Sequence, residues 1–190
     1  MGASQQKKIR IAKSLAALIK VKPYDKITIQ DIAKEAKMNR QTFYYHFADK
    51  KALLRWFYQE DALVFLTSSE LTLLNWEEQA RQFFIAIQEK QEFYQVTVQS
   101  QPEILAEEFS QVIVQLFARL FNQVDQEKFL SVADKAFYGE FFAYGFSGIL
   151  LSWIKAGCQE SPLEMAAQLF RLAKDVEFFS TRLYEADQEV

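Results

Sequence analysis

The stretch that decides the fold is KITIQDIAKEAKMNRQTFYYHFADKK, residues 26–51. Its first half places apolar side chains at helical spacing behind Thr28, a residue type that often caps helices, with Asp31 three residues later. Residues 37–39 interrupt this pattern, and a second short helix is expected over residues 40–47. Two short helices joined by three residues are typical of a helix-turn-helix.

Helical periodicity continues on both sides of this stretch. Apolar residues recur over residues 4–21, and Pro23 ends that helix. Asp49 is expected to cap a further helix, which carries Leu53 and Leu54 on its inner side. No low-complexity linker follows, so we expect this helix to run directly into the second half of the chain.

The second half of the sequence predicts longer helices. Asn75-Trp-Glu-Glu78 and Ser161-Pro-Leu-Glu164 have the spacing of capping boxes, Pro102 suits a first helical turn and Gly157 suits a C-terminal cap. The expected helices span residues 75–90, 102–123, 126–156 and 161–185, with a short segment near 92–99 between the first two. With five Gly and three Pro in 190 residues, turn material is too scarce for a many-stranded β fold.

Charge is divided unevenly along the chain. Residues 1–55 carry thirteen Lys and Arg against four Asp and Glu, a balance of +9. Residues 56–190 carry nine against twenty-one, a balance of −12. Such asymmetry indicates a basic module that meets a polyanion, joined to an acidic body that does not.

Several functional classes are disfavoured by composition. Cys158 is the single cysteine and His46 the single histidine, which argues against disulfides, Cys-rich zinc sites and paired-His metal sites. No catalytic motif is present, so we expect no enzyme activity, no cofactor and no metal, in a cytoplasmic, nucleoid-associated protein. Residues 136–154 have almost membrane-spanning length with one charge, Glu140; that charge and three internal glycines favour a buried helix over a membrane span.

The short helix expected at 40–47 has two different sides. Phe43 and Phe47 can pack inward, whereas Arg40, Gln41 and Tyr45 lie on the outer side. A helix that enters the DNA major groove needs this division, because it presents polar groups to base edges and apolar groups to its own core. The groups nearby that can bind phosphate are Thr28, Thr42, Tyr44, His46, Lys50 and Lys51.

Three short runs in this region carry a family resemblance. They are Ile27-Thr28 followed by Asp31-Ile32-Ala33, then Thr42-Phe-Tyr-Tyr-His-Phe47, then Asp49-Lys-Lys-Ala-Leu-Leu54. In these runs the sequence resembles the tetracycline-repressor (TetR) family of bacterial transcription regulators, over residues 8–56. The resemblance implies an all-α fold with an N-terminal three-helix helix-turn-helix DNA-binding domain and a larger C-terminal helical domain for ligand binding and dimerisation.

That resemblance sets the expected domain boundaries. The DNA-binding domain is placed at residues 1–50, with a connecting helix that starts within residues 49–70. The regulatory and dimerisation domain is placed at residues 51–190.

The resemblance also implies DNA contacts at matching positions. Thr28 matches a phosphate-contacting hydroxyl, Gln30 lies where some members contact a base, and Tyr44 and His46 match phosphate contacts. Met38-Asn39 departs from the Gly-Val or Gly-Ile of many members, which weakens the match at Asn39. The expected DNA-binding set is Thr28, Gln30, Asn39, Arg40, Gln41, Thr42, Tyr44, Tyr45, His46 and Lys50.

The last two expected helices can form a dimer face. Each has an apolar stripe, and Gly145 and Gly148 would let another helix approach closely. The resemblance implies the same arrangement, since two C-terminal helices of each subunit form a four-helix bundle in the family. The alternative is an intramolecular core built from these residues, which are Phe137, Phe141, Tyr144, Gly148, Leu151, Leu163, Ala167, Phe170, Lys174 and Phe178.

Most of the eighteen phenylalanines lie beyond residue 56. They fit either an ordinary core or an apolar pocket between the helices at 76–156. Polar contacts in such a pocket would come from Arg81, Gln88, Gln99, Arg119, Glu140 and Tyr144. The run Phe141-x3-Gly145-x2-Gly148-x4-Trp153-x3-Gly157, then Pro162, resembles a branch of the family that includes dihydroxyacetone-kinase regulators, in which a partner protein can be the sensed input.

These patterns predict a homodimeric repressor that binds a palindromic double-stranded DNA operator. A small apolar effector or a partner protein would release it. The alternative is a helical coactivator or protein-interaction module that keeps the fold without binding DNA alone. The charge division and the set Thr28, Tyr44, His46 and Lys50 favour DNA binding over this alternative.

Overall fold

The structure is a computed structural model, and it describes residues 2–68, 71–72, 75–125, 130–172 and 175. All regular elements of these residues are helical, so the predicted all-α fold class is confirmed. The N-terminal part, which we call the head, contains α1 (Ala3–Ile19), a 3-10 turn (Tyr24–Lys26), α2 (Ile29–Glu35), α3 (Arg40–His46) and α4 (Lys50–Tyr58).

Side-chain caps define the short helices of the head. The Thr28 hydroxyl accepts a bond from the Asp31 N–H at 3.1 Å, and the Thr28 N–H donates to the Asp31 carboxylate at 2.8 Å, which completes a capping box. Asn39 and Asp49 each accept from a backbone N–H three residues later, both at 2.7 Å. Helices of seven residues are marginal on their own, so these caps and the burial of Phe43 hold them in place.

The head joins the rest of the chain, which we call the body, through one helical rod. After α4 the chain forms a π-helical turn (Gln59–Leu63) and then α5 (Val64–Thr67). The expected continuous connection is therefore present, but it is not a regular α-helix.

Long helices form the body. They are α6 (Trp76–Glu89), α7 (Gln91–Ser100), α8 (Pro102–Val124), α9 (Val132–Lys155) and α10 (residues 162–172). Stacked aromatic rings fill the space between them, including Phe83 on Phe109 and Phe117 on Phe142, with centroids 5.3 Å and 4.4 Å apart. Among the helices of the described ranges, none is long and apolar enough to cross a membrane.

Two helix starts differ from the sequence prediction. Asn75 does not cap α6, because its side chain accepts a bond from the Thr72 N–H at 2.8 Å. The helix predicted from residue 126 is seen from Val132, where Ser131 and Asp134 form a capping box that sequence reasoning missed. Residues 126–129 lie outside the described residues.

The predicted end of α9 and start of α10 are confirmed. Gly157 has φ +87°, a left-handed conformation that suits glycine after a helix C-terminus, and its N–H donates to the Ile154 carbonyl at 3.1 Å. Ser161 caps α10, accepting from the Glu164 N–H at 3.2 Å while the Ser161 N–H donates to the Glu164 carboxylate at 2.8 Å. The predicted extension of α10 to residue 185 falls largely outside the described residues.

Candidate nucleic-acid interface

Helix α3 has one buried side and one exposed side, as the sequence predicts. Phe43 and Phe47 are 0% and 5% exposed and anchor the helix in the core of the head. Arg40 and Gln41 are exposed, and Tyr45 is 82% exposed. An anchored helix with polar side chains directed outward is suited to reading base edges in a major groove.

Two of the exposed side chains of α3 contact each other. The Arg40 Nη2 donates a hydrogen bond to the Tyr44 hydroxyl at 2.8 Å. The guanidinium carbon also lies 5.3 Å from the centre of the Tyr44 ring, which is cation–π distance. Arg40 is thereby held against its own helix instead of extending freely into solvent.

Asn39 and Thr42 form the N-terminal cap of α3. The Asn39 Oδ1 accepts from the Thr42 N–H at 2.7 Å and from the Thr42 hydroxyl at 2.8 Å. The side-chain oxygen of Asn39 is therefore used within the protein, and its amide N–H groups are the part left for DNA. The left-handed residue of the preceding turn is Lys37, with φ +52°, one residue before the Met38-Asn39 pair singled out in the sequence.

Lys50 has an intramolecular role that sequence reasoning missed. Its ammonium donates to the carbonyls of Tyr24 and Ile27 at 2.6 and 2.9 Å, and lies 4.0 Å from the centre of the Tyr24 ring. Burial lowers the pKa of Lys50. Because an ammonium has three donors, one remains for a phosphate, and the predicted phosphate contact stays a prediction.

The imidazole of His46 is more enclosed than a surface phosphate ligand. Its Nε2 is buried and has no hydrogen-bond partner in the described part of the chain. Burial, together with the charges of Lys7 and Lys8, lowers the pKa of His46 and favours its neutral form. A phosphate contact through Nε2 would therefore require the side chain to turn outward, and it too stays a prediction.

The remaining predicted contacts lie at the start of α2. Thr28 and Gln30 are both exposed. The capping carboxylate of Asp31 pairs with Lys22 at 2.6 Å, so the negative charge beside Thr28 is compensated within the head.

An ionic contact between α4 and α8 was also missed from the sequence. Glu108, only 8% exposed, accepts hydrogen bonds from Arg55 Nη1 at 3.1 Å and Gln59 Nε2 at 2.6 Å. Arg55 also pairs with Glu107 at 2.8 Å, and that hydrogen bond raises the pKa of Arg55. A signal for this contact was available in the sequence. Arg55 and Gln59 are four residues apart along the rod, and α8 carries the adjacent acids Glu107 and Glu108. These bonds fix how the rod that carries the head lies on the body.

The predicted dimer residues differ in how exposed they are. Phe137, Phe141 and Tyr144 on α9 are 67%, 65% and 74% exposed, and Leu163 on α10 is 61% exposed. Gly148 is exposed, while Leu151 and Ala167 are half-buried. Phe170 is half-buried and packs on Trp76 of the same chain, with centroids 5.0 Å apart, which is the contact that the intramolecular alternative expects; its place on a dimer face stays a prediction. Lys174 and Phe178 lie outside the described residues.

None of the six polar residues predicted for a ligand pocket lines the cavity between α6, α8 and α9, and the predicted pocket stays a prediction. This cavity has a volume of about 30 Å³, and its lining is entirely apolar, including Trp76, Phe83 and Phe146. Two of the six predicted polar residues are half-buried and have partners within the chain, and the other four are exposed. Arg81 pairs with Glu78 and Gln88 donates to the Cys158 carbonyl, while the exposed ones are Gln99, Arg119, Glu140 and Tyr144.

A second hollow opens where the head meets the body. It has a volume of about 490 Å³ and lies between the C-terminal turn of α1 and the α6–α7 junction, with Gln88 on its border. Within the described ranges, no group of His, Cys, Asp and Glu side chains is arranged to hold a metal ion.

Two family models match the chain. The model of bacterial regulatory proteins of the tetR family matches residues 11–55, and a model of the C-terminal region of transcriptional regulators matches residues 74–175. The chain belongs to the tetR family. It is a transcriptional regulator with the helix-turn-helix head and helical body of that family.

A curated relative and two solved structures are informative. The HTH-type dhaKLM operon transcriptional activator DhaS of Lactococcus lactis is 32% identical over 85 residues. The matched segment spans 45% of this chain and 45% of that relative, which is less than half of each. The solved structure of a dihydroxyacetone kinase operon activator DhaS has a TM-score of 0.61 at 25% identity, covering 87% of this chain and 93% of that one. The fatty acid degradation regulator FadR of Bacillus halodurans shares the fold at 16% identity, with a TM-score of 0.61 and coverages of 90% and 95%.

Proposed function

We propose that this regulator binds a palindromic DNA operator as a homodimer and represses transcription by occupying the promoter. The observation that carries the proposal is the outer side of α3, where Arg40, Gln41 and Tyr45 are exposed above an anchored helix in a head of net charge +9 over residues 1–55. Two copies would place their α3 helices about 34–36 Å apart, in successive major grooves.

The outer face of α9 supports dimerisation. Phe137, Phe141 and Tyr144 expose most of their aromatic surface side by side, and contiguous apolar surface on a protein commonly marks an interaction site.

We expect Phe141→Glu to give a particle with the monomer mass of 22.2 kDa in sedimentation equilibrium, because it would bury a charge in the interface. Val21→Glu, at an 81% exposed position in the head, is the matched control and should leave the mass unchanged. A Phe141→Glu protein with the mass of the wild type would contradict this face.

We favour a partner protein over a small molecule as the regulatory input. Binding sites for small molecules usually have about 300–1,000 Å³ and a few converging polar groups. The apolar cavity between α6, α8 and α9, with about 30 Å³, is far below that range. The hollow between α1 and the α6–α7 junction, with about 490 Å³, lies within it, so a small ligand beside Lys20 and Gln88 is the alternative input. The similarity to DhaS agrees with a partner input, given the branch of the family that the α9 glycine pattern resembles.

Activation of transcription is a second candidate, favoured by one observation. The curated relative is described as a transcriptional activator, and its matched segment is 32% identical. Transcription in vitro from a promoter that carries the selected operator distinguishes repression from activation. Fewer transcripts on addition of the protein would support repression, and more transcripts would support activation.

Selection from a random duplex pool over a series of salt concentrations tests the operator itself. Enrichment of a palindrome, with affinity falling steeply as salt rises, is the result that we expect. Salt-sensitive binding with no enriched sequence would contradict sequence-specific recognition by the protein alone. No binding at low salt would favour the protein-interaction module instead.

A further inference from the structure

We propose that Tyr44 is a positioning residue that orients Arg40 to read a guanine in the major groove. The inference rests on the proposed function, because it assigns a base to the exposed side of α3. It gives Tyr44 a task within the protein, in addition to any contact of its hydroxyl with DNA.

The geometry of the pair carries the inference. Arg40 and Tyr44 are four residues apart, so they lie on the same side of α3. The Tyr44 hydroxyl accepts from Arg40 Nη2 at 2.8 Å while the guanidinium lies 5.3 Å from the ring centre. A hydrogen bond and a ring contact together restrict a side chain that otherwise has many rotamers.

The remaining donors of Arg40 suit guanine. The guanidinium has five N–H donors in a planar fork, and Tyr44 uses one of the two on Nη2. Whichever one it uses, one complete pair of parallel donors remains, either Nη1 with Nη2 or Nε with Nη2. Such a pair matches O6 and N7 of guanine, the most common specific contact in the major groove.

The position of Arg40 on the helix favours a base over a phosphate. It is the first residue of α3, and the N-terminal residues of a recognition helix are those that contact base edges. The acceptor role of the Tyr44 hydroxyl toward Arg40 leaves its own proton free to bond a phosphate oxygen. One tyrosine can therefore connect the base-reading arginine to the DNA backbone.

Tyr45 supplies a matched control on the same helix. It is adjacent to Tyr44 and 82% exposed, and its hydroxyl makes no hydrogen bond within the described residues. Tyr44→Phe removes the hydroxyl and keeps the ring, including its edge contact with Phe43 at 5.8 Å, so α3 should remain folded. Tyr45→Phe removes a hydroxyl of the same kind without touching Arg40.

The experiment compares binding of the wild type, Arg40→Ala, Tyr44→Phe and Tyr45→Phe to the selected operator and to duplexes with each base pair changed in turn. Arg40→Ala should abolish discrimination at one guanine in each half-site, a loss of roughly 5- to 150-fold. Tyr44→Phe should lower discrimination at that same guanine by roughly two- to tenfold, because the arginine must then be ordered on binding. Whatever affinity Tyr45→Phe loses at a contact of its own, the ratio of its affinities for duplexes with and without that guanine should equal that of the wild type, because its hydroxyl does not bond Arg40.

Other outcomes would overturn the proposal. They are an unchanged guanine preference in Tyr44→Phe, an equal loss on all duplexes, or the same loss in Tyr45→Phe. A wild type that selects no sequence would instead overturn the proposed function, so the two failures are distinguishable.

Discussion

The head and the body of this regulator are held together in different ways. In the head, α2, α3 and α4 each begin at a side chain that caps the helix, namely Thr28, Asn39 and Asp49. In the body, α6, α7 and α8 begin without a side-chain cap, and their inner sides are filled with aromatic rings. The other two body helices, α9 and α10, begin at the capping boxes of Ser131 and Ser161. Local hydrogen bonds therefore fix the starts of the short head helices and of α9 and α10, whereas burial stabilises α6, α7 and α8.

The difference matters because the two parts have different tasks. A recognition helix must point in a defined direction, and a cap fixes the first turn from which its base-reading side chains extend. A core of large rings provides stability without fixing any single exposed group. We therefore expect substitutions in the body to change mainly the free energy of unfolding, and substitutions at the caps to change mainly DNA binding.

The largest effect is expected from Phe83→Ala in the body. Phe83 is 1% exposed, stacks on Phe109 and lines the small cavity, so truncation removes buried area and enlarges a void. The free energy of unfolding should fall by about 3–5 kcal/mol, measured by denaturant titration. Tyr45→Ala, on the exposed side of α3, is the control and should change it by about 0.5 kcal/mol or less. Similar losses in both variants would contradict the importance of the aromatic core.

Lys50→Ala should have the next largest effect and would separate two roles of one lysine. The variant leaves the Tyr24 and Ile27 carbonyls without their ammonium partner, so the free energy of unfolding should fall by about 1–3 kcal/mol. If Lys50 also contacts phosphate, the slope of log affinity against log salt should decrease by about one unit.

Lys51→Ala is the matched control for Lys50. Among the residues that the structure describes, Lys51 makes one exposed pair, with Glu103 at 3.5 Å, so its loss should cost about 1 kcal/mol or less. Equal losses of stability in the two lysine variants would show that the hydrogen bonds from Lys50 to the Tyr24 and Ile27 carbonyls do not stabilise the head.

Asn39→Ala tests the cap of the recognition helix. It should lower the free energy of unfolding by about 1 kcal/mol, because the Thr42 N–H loses its acceptor. Operator affinity, measured by fluorescence anisotropy, should fall further than this loss of stability explains, since the start of α3 is no longer fixed. Asn39→Ser keeps a capping oxygen and should recover most of the affinity. If Asn39→Ser binds as weakly as Asn39→Ala, the Asn39 amide contacts DNA directly.

The smallest effect is a dependence on pH at the cap of α2. The hydrogen bond from Lys22, with those from Thr28, holds the pKa of the Asp31 carboxyl well below its usual range. A lowered folded-state pKa stabilises the protein above the unfolded pKa of about 3.9, and this contribution is lost as pH falls through the folded-state value. The difference in unfolding free energy between wild type and Asp31→Asn should therefore be present at pH 6 and shrink toward pH 2. A difference that keeps the same size from pH 6 to pH 2 would contradict this prediction.

Sequence patterns predicted most of the fold because caps and periodicity are local. Thr28, Asp49 and Ser161 cap helices as expected, since a short side chain followed three residues later by an acid or an open N–H needs no distant partner. Asn75 matched the same pattern and failed, because the Thr72 N–H competes for its oxygen. A cap signal shows that a bond can form, but not which of two nearby donors will take it.

The site was predicted less completely because its details depend on distant neighbours. The outward direction of Arg40, Gln41 and Tyr45 follows from the position of Phe43 along the helix. In the structure these three side chains are exposed. The clamp of Lys50 on the Tyr24 carbonyl joins residues 26 positions apart, and the Glu108 bonds join helices some fifty residues apart. Helical spacing also does not show which side of a helix faces the aromatic interior, so the residues of the predicted pocket stay a prediction.

The π-helical turn Gln59–Leu63 has a consequence for how the chain tolerates changes in length. Removing one residue from a regular α-helix rotates everything beyond it by about 100°, which would turn the exposed side of α3 relative to the body. A π-turn already accommodates one residue more than an α-turn, so a deletion there would convert it to regular helix and leave both ends in their original orientation. We therefore expect the rod between head and body to tolerate the loss of one residue in this segment with α3 still facing the same way.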